Sequence, residues 1–193
     1  MQFKSASLYH YPNCKIDAEQ LQEQLADRAF VHCKPQQLQS YGWVSPNDSD
    51  ILAYTTSGVI LLKARCEERI LPASVIADHM AERIAELEQR FERKIRGKEK
   101  LDIRDTVIME LTPQAFTKSS YEQVLIIPDQ DLLIVDNTSP KRLDQCTSLL
   151  RECVESLPIK PIETDIGPSA LFTRWLKGTR CLLYTSPSPR DRG

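Results

Sequence analysis

The chain has 193 residues, of which 41% are hydrophobic and 27% are charged, and its formal net charge is −2. This composition is typical of a globular protein with a substantial core and argues against intrinsic disorder. A nearly balanced charge requires neither a nucleic acid nor a membrane as partner, so a charged partner would have to bind a local patch.

The chain contains six cysteines, without a CxxC pair and without a neighbouring histidine cluster. We therefore expect reduced, mostly buried cysteines and no zinc or other metal site. No apolar run approaches the ~20 residues of a membrane helix, and no secretory signal peptide is recognisable before the first predicted strand. These features predict a cytoplasmic protein that carries no cofactor.

The first part of the chain predicts a strand followed by a helix. Residues 5–11 are short and aromatic, and Pro12 and Asn13 end the predicted strand. Asp17 then fits a helix N-cap, with Gln20 in the capping-box position. The buried side of this helix is predicted to carry Leu21, Leu25 and Ala29.

A β-rich region follows. Residues 30–33 are compatible with a short strand, and residues 41–44 (Tyr-Gly-Trp-Val) are interpreted as an irregular or edge segment packed by its aromatic side chains. Residues 51–55 and 59–66 are joined by Ser-Gly and predict a hairpin. A last strand over residues 68–71 would lead into the next element.

The longest helical pattern begins after Leu71. Its apolar residues recur at steps of three and four and so form one stripe: Ile76, Met80, Ile84, Leu87, Phe91 and Ile95. The opposite side is charged and becomes basic toward its end, where Gly97 is predicted to stop the helix. A shorter apolar pattern runs from Leu101 to Leu111 and ends at Pro113, so we expect a projecting helical hairpin.

The last third repeats the combination of strands and helices. Residues 121–127 and 132–136 predict a second hairpin, and Ser139 with Pro140 begins a helix. A short strand over residues 159–162 lies between two prolines and suits a sheet edge. A final short helix is predicted over residues 169–177.

These elements predict an α+β fold, with antiparallel sheets, packed helices and an inserted helical-hairpin tip. We expect a discontinuous central domain (residues 1–71 and 120–166), a helical tip domain (residues 72–119) and the start of a truncated further domain (residues 167–178). Residues 179–193 have no periodicity and resemble a translated sequencing-adaptor remnant. We therefore predict a non-native tail there and a fragment of a longer protein.

Sequence motifs for catalysis are absent. There is no Gly-rich phosphate loop, GxSxG elbow or HExxH helix. The three histidines, His10, His32 and His79, are far apart in sequence, and acidic pairs such as Asp48 with Asp50 lie in predicted turns. We therefore expect a protein that is not an enzyme, unless His10, His32 and an acidic pair converge in the fold.

The most distinctive feature is a basic segment at the end of the long helix. It comprises Arg90, Arg93, Lys94, Arg96, Lys98, Lys100 and Arg104. One interpretation is a solvated helix face supported by pairs such as Glu86 with Arg90. The other is a surface that contacts the phosphates of a nucleic acid without reading its sequence. Phe116, at the end of the hairpin, fits a core position and an exposed contact equally well.

An ordered set of short segments resembles the bacterial recombination-associated RdgC family. The set comprises residues 69–72 (Arg-Ile-Leu-Pro), the charged helix, 111–116 (Leu-Thr-Pro-Gln-Ala-Phe), 132–136, 149–151 and 156–158, with Phe30, 42–44, 173–175 and Gly178. The resemblance covers residues 3 to about 178. Members of that family are roughly 300 residues long, which implies that a C-terminal part is absent here.

The resemblance implies a nucleoid-associated protein that binds double-stranded DNA without sequence preference and has no known enzymatic activity. It also implies a ring-shaped homodimer that encircles DNA and restrains the RecA recombinase. In that family the phenylalanine matching Phe116 lies in the dimer contact. Candidate DNA contacts here are Arg93, Lys94, Arg96, Lys98, Lys100 and Lys118. The alternative hypothesis is a protein-interaction module that uses the charged hairpin and binds no nucleic acid.

Overall fold

A computed structural model of the chain describes residues 5–12, 14–47, 49–154, 157–162 and 168–176. The chain divides into two compact units, residues 1–160 and 161–193. The helices are α1 (Ala18–Ala26), α2 (Ala73–Phe91), α3 (Lys98–Leu111), α4 (Pro140–Cys153) and α5 (Pro168–Leu176). The strands are β1 (Ser7–His10), β2 (Gln39–Val44), β3 (Tyr54–Thr56), β4 (Val59–Arg69), β5 (Thr117–Ile127), β6 (Leu132–Val135) and β7 (Lys160–Pro161). The predicted α+β class is confirmed.

The strands form one sheet in the order β2-β4-β5-β6-β1-β7, and β3 pairs with β4. Its centre is the long antiparallel pair β4–β5, which runs in register from Ile60 opposite Ile126 to Arg69 opposite Thr117. Alternate residues of these strands are buried, because successive side chains of a strand point to opposite faces. The buried side chains pack against α1 and α4, which therefore cover one face of the sheet.

The predicted start of α1 is confirmed. The N–H of Gln20 donates to Asp17 Oδ2 at 3.1 Å, and Leu21 and Leu25 are buried. The prediction that Ala29 is buried is wrong, because the helix ends at Ala26 and Ala29 is exposed.

Two strand assignments between α1 and β3 also differ from the structure. Residues 41–44 are not irregular but form most of β2, in which Trp43 is only 1% exposed; the alternative of an edge segment is confirmed, because β2 is the first strand of the sheet order. Residues 30–33 form no strand, since the chain pairs with β2 only by a bridge between Ala29 and Trp43. Gly42 permits this pairing, because a Cβ there would lie 2.6 Å from the Cα of Phe30.

Both predicted hairpins are confirmed, with different strand lengths. Ser57 and Gly58 form the first turn with φ angles of 49° and 77°, and the strand before it is confined to three residues of β3. In the second hairpin β5 begins at Thr117 and not at residue 121, since it continues the ladder with β4.

The two helices α2 and α3 form a hairpin, here called the arm, between β4 and β5. The arm has its own apolar core, in which Ile95, Ile103 and Val107 are buried. None of these residues belongs to the core of the sheet. The stripe predicted from Ile76 to Leu87 packs on this small core, whereas Phe91 is exposed.

The predicted end of the first arm helix is wrong. Helix α2 ends at Phe91 and not at Gly97, because Glu92 adopts a left-handed conformation with φ 51°. Gly97 instead precedes α3, with a φ of 56° and ψ of −125° that a residue with a Cβ rarely adopts. Ile95 is buried, but it lies in the connecting turn.

Most of the elements predicted after the second hairpin agree with the structure. Ser139 precedes α4, whose buried residues include Cys146, Leu150 and Cys153. All five cysteines in the described parts of the chain are free, and Cys181, Lys177 and residues 179–193 lie outside them. Within the described ranges, no helix is both long and apolar enough to cross a membrane.

Candidate nucleic-acid interface

The turn at the end of the arm is organised by Glu88. Its Oε1 accepts a hydrogen bond of 2.9 Å from the N–H of Ile95, and its Oε2 lies 3.0 Å from Lys94 Nζ. The hydrogen bond from Ile95, together with Lys94, holds the pKa of Glu88 below its usual value. One carboxylate of α2 thus fixes the turn and also pairs with one of its cations.

Arg93 is paired across the same turn. Its guanidinium donates to both carboxylate oxygens of Glu99, at 2.9 and 2.6 Å. This two-bond contact lowers the pKa of Glu99 and raises that of Arg93. Both side chains remain about half exposed, so solvent screens the pair.

The other three candidate cations at this end of the arm are Arg96, Lys98 and Lys100. All three are exposed, and none has a carboxylate oxygen within 4.0 Å in the part of the chain that the structure describes. Lys98 is the first residue of α3. The N-terminus of a helix carries partial positive charge, and Lys98 and Lys100 add to it. The sequence pattern instead predicts these basic residues at the C-terminal end of a helix.

The solvated-face interpretation named a pair between Glu86 and Arg90. The structure instead has Arg83 between two carboxylates, 3.8 Å from Glu86 and 3.5 Å from Glu110. Arg90 lies over the ring of Phe91, 5.6 Å from its centroid. The ion pairs of the arm therefore concentrate on Arg83, Arg93 and Lys94, and the end of the arm keeps exposed positive charge.

Phe116 and Lys118 lie at the root of the arm and not at its end. The 19 residues of α2 span about 28 Å at the usual helical rise. Phe116 is 85% exposed, and its carbonyl accepts a hydrogen bond of 2.8 Å from the N–H of Ile70. Lys118 is exposed opposite Glu68. The predicted site residues thus fall into two groups, one at each end of the arm.

A further basic and aromatic cluster was missed by the sequence analysis. Lys63 and Arg65 alternate with buried residues along β4, and Tyr121 lies directly opposite Arg65 on β5. They lie on the sheet face that α1 and α4 do not cover. The signal is present as polar residues at alternate positions from Lys63 to Glu67 of β4, but the sequence analysis uses this segment only to predict a hairpin.

Among the residues that the structure describes, the histidines do not converge on an acidic pair, and Asp48 lies outside those residues. His32 Nδ1 lies 3.0 Å from Glu67 Oε1, and Glu67 also accepts a hydrogen bond from the N–H of Cys33 at 2.8 Å. His10 lies on β1 and His79 on α2. Among the residues with described positions, no group of three or more His, Cys, Asp and Glu could hold a metal ion.

Comparison with known proteins identifies a family to which this chain is similar. The family model described as "Putative exonuclease, RdgC" matches residues 1–182. Proteins named recombination-associated protein RdgC from Tolumonas auensis and Pseudomonas fluorescens Pf0-1 are each 36% identical over 91% of this chain and 59% of their own length. The protein of that name from Haemophilus influenzae Rd is 38% identical over 83% of this chain and 53% of its own length.

The chain thus spans about three fifths of the length of the first two relatives. The residues that match this one family model include the sheet, the arm and α4. Because the family model covers nearly the whole chain and the relatives exceed one third identity, the chain belongs to the RdgC family.

Proposed function

We propose that this chain is part of a protein that binds double-stranded DNA without sequence preference and takes part in DNA recombination. The protein would act as a ring-forming homodimer associated with the nucleoid and would restrain the RecA recombinase by occupying DNA. It would bind DNA without cleaving it. Membership of the RdgC family, whose relatives are named recombination-associated proteins, supports this proposal.

The observation that carries the proposal is the exposed cationic end of the arm. Arg96, Lys98 and Lys100 have no carboxylate partner within 4.0 Å among the described residues. Cations at a helix N-terminus bind phosphate groups by charge and by backbone N–H donors, and neither reads the bases. A small patch of this kind is compatible with a chain whose overall charge is −2.

Arg93 and Lys94 are candidates of a second kind, because each is already paired with a glutamate. Exposed ion pairs add little to the stability of a protein, because solvent screens their charges. A phosphate group can therefore replace the glutamate at little cost. We infer that these two cations would contribute to DNA binding after they exchange partners.

The dimer contact is proposed at the root of the arm. Phe116 is 85% exposed and Ile70 beside it is 47% exposed, so neither is needed by the core of this chain. Neighbouring exposed apolar side chains form a patch of the kind found at protein interfaces. Phe116→Ala should weaken dimerisation and DNA retention while leaving the fold intact. Sedimentation velocity would measure the loss of dimer, and an unchanged sedimentation profile would contradict the proposed contact.

A salt titration tests the DNA-binding proposal. Replacement of Arg96, Lys98 and Lys100 by alanine should reduce the slope of log affinity against log salt by up to about 2.7, because each phosphate contact contributes about 0.9. The matched control replaces Lys15, Lys141 and Lys160, which are exposed cations outside the arm. Equal slopes for the two triple variants, or no binding of random duplex at low salt, would overturn the proposal.

The exposed apolar side chains of the arm favour a second candidate function. Leu101 and Met109 on α3 are 58% and 63% exposed, as in a helix that docks on another protein. A protein-interaction module of this kind would bind a protein partner with the same affinity at low and moderate salt and would not bind duplex DNA. The family description also names an exonuclease, and incubation of labelled duplex with Mg²⁺ distinguishes cleavage from binding alone.

A further inference from the structure

An open hollow lies between α1 and the chain that enters β3. Its volume is about 490 Å³, and Ala18, Ile51 and Ala53 contribute apolar side chains to its lining. Ile51 is 47% exposed, so the core of the chain does not use this large apolar side chain fully. The hollow therefore offers apolar surface to a side chain from another molecule.

One wall of the hollow is held in place by Gln22 of α1. Its Oε1 accepts hydrogen bonds from the N–H groups of Leu52 and Ala53, at 2.7 and 2.9 Å. Its Nε2 donates to the carbonyl of Asp50 at 3.5 Å. The segment before β3 is thus fixed on the helix at three residues. A partner would meet a preformed surface, which reduces the entropic cost of binding.

The rim of the hollow is acidic. Glu19 and Glu23 of α1 line it and are exposed, and neither lies within 4.0 Å of a cationic nitrogen among the described residues. None of the described lining residues is a lysine, arginine or histidine. The two carboxylates are one helical turn apart, which places their Cβ atoms about 6 Å from each other. Alternate side chains of an extended peptide have a similar spacing, about 6.6 Å.

The strand beside the hollow has an open edge. Among the described strands, β3 pairs only with β4, and Thr56 lies opposite Val59 across a two-residue turn. Only alternate residues of an antiparallel strand direct their N–H and C=O to the partner strand, and a two-residue turn gives that role to the residue before it. Thr55 therefore directs its N–H and C=O away from β4, and no described residue bonds to them. Because Thr55 also lines the hollow, a further strand could pair beside it.

We propose that the hollow and the edge of β3 bind an extended basic peptide segment of another protein. The peptide adds a strand beside Thr55, places one apolar side chain against Ile51 and Ala53, and brings lysine or arginine side chains to Glu19 and Glu23. Pairing at a sheet edge, combined with a pocket for a side chain, is a general mode of peptide recognition. The acidic rim selects a basic segment over an acidic one. This surface lies outside the arm and takes a protein partner, so it goes beyond the proposed DNA binding.

The probe is a fluorescently labelled peptide with the sequence Lys-Thr-Lys-Thr-Ile-Thr-Lys-Thr-Lys. Its lysines and its isoleucine share one face of an extended strand, and their order is the same in both strand directions. Two control peptides carry glutamate in place of every lysine, or serine in place of the isoleucine. Anisotropy measures the affinity of each peptide for the 193-residue chain at low salt. We expect the serine peptide to bind about ten-fold more weakly, because it buries no apolar side chain in the hollow, and the glutamate peptide not to bind.

Variants of the chain locate the binding surface. Glu19→Gln combined with Glu23→Gln should weaken binding of the lysine peptide about three-fold or more, and Ile51→Ser should weaken it by a similar factor. The matched control combines Glu82→Gln with Glu86→Gln, because these carboxylates are also exposed and one turn apart, but on α2. This control should bind the peptide like the unchanged chain.

Four results would overturn the proposal. The first is that the unchanged chain does not bind the lysine peptide. The second is that the two double variants bind it equally well. The third is that Ile51→Ser binds it like the unchanged chain. The fourth is that the glutamate or the serine peptide binds as tightly as the lysine peptide.

A second measurement needs no variant. Amide hydrogen exchange of the unchanged chain is followed by NMR with and without a saturating amount of the lysine peptide. Pairing with the added strand should slow exchange at the N–H of Thr55. The N–H groups of Leu52 and Ala53 already bond to Gln22 and should change little. Unchanged exchange at Thr55, or slower exchange confined to the arm, overturns the proposal and leaves the proposal for duplex DNA unaffected.

Discussion

Removing the two glutamates that pair with Arg93 and Lys94 should strengthen DNA binding. The change is the double substitution Glu88→Gln and Glu99→Gln. Glutamine at position 88 keeps a carbonyl oxygen that can accept the hydrogen bond from the N–H of Ile95. The turn should therefore keep its conformation while both cations lose their charged partners.

The size of the expected increase in DNA affinity follows from the charges at the end of the arm. Residues 88–100 contain six cationic and three anionic side chains, so the substitution raises their net charge from +3 to +5. In the unchanged chain, each exchange of partners frees a glutamate that attracts a cation and offsets the counterion release at one phosphate. Removing both glutamates therefore steepens the slope of log affinity against log salt by up to about 1.8. If the affinity at 1 M salt is unchanged, this slope corresponds to an increase of up to about 60-fold at 0.1 M salt.

The assay is an anisotropy titration of a random-sequence duplex at several salt concentrations. The control is the double substitution Glu19→Gln and Glu23→Gln on α1, which changes the total charge of the chain by the same amount but lies outside the arm. The reasoning is refuted if the two double variants have the same slope. A steeper slope for the arm variant alone would assign Arg93 and Lys94 to the DNA-binding surface.

Three further predictions concern the stability of the fold. Ile103→Ala should destabilise the arm by about 2–3 kcal/mol, because it leaves a cavity in a core of only three buried residues, and hydrogen exchange should increase in α2 and α3 but not in β4 and β5. Gly42→Ala should lower the free energy of unfolding by about 1–3 kcal/mol, because the added Cβ would lie 2.6 Å from the Phe30 backbone. Urea denaturation measures this loss, and a variant as stable as the original chain would contradict the prediction. Hydrogen bonds from Cys33 and His32 hold the pKa of Glu67 below its usual value. The ionised Glu67 therefore stabilises the fold fully above the usual glutamate pKa, and this stabilisation is lost as the pH falls through the lower, folded-state pKa. Glu67→Gln should show a smaller loss of stability on acidification than the unchanged chain, and equal losses would contradict the assignment.

Elements with a local signal could be predicted from the sequence. Asp17 has its hydrogen-bond partner three residues away, and clear turns mark the start of β4 and the end of β5. The end of α2 had no such signal. It depends on a hydrogen bond between Glu88 and the N–H of Ile95, seven residues apart, and a glycine at position 97 is equally suitable after one helix or before the next.

The candidate site could be predicted only in part, because some of its contacts also join residues that have no local signal in the sequence. The basic composition of residues 90–100 is visible in the sequence, but the partner of Arg93 is not, because Glu99 is six residues away across a turn and not at a helical spacing. Lys63 and Tyr121 are 58 residues apart in the chain and meet only through the register of β4 and β5. Sites assembled by strand pairing require the register, which composition and periodicity do not provide.

The way in which the arm is attached has a consequence for its evolution. Its two helices leave and re-enter the sheet on neighbouring strands, and the ladder ends with Arg69 opposite Thr117, followed by the hydrogen bond from Ile70 to Phe116. Insertion of one helical turn in α2 and a matching turn in α3 would move the end of the arm outward by about 5.4 Å without disturbing any strand pair. The reach of this protein can therefore diverge between relatives through the length of one segment, while the sheet that anchors it stays the same.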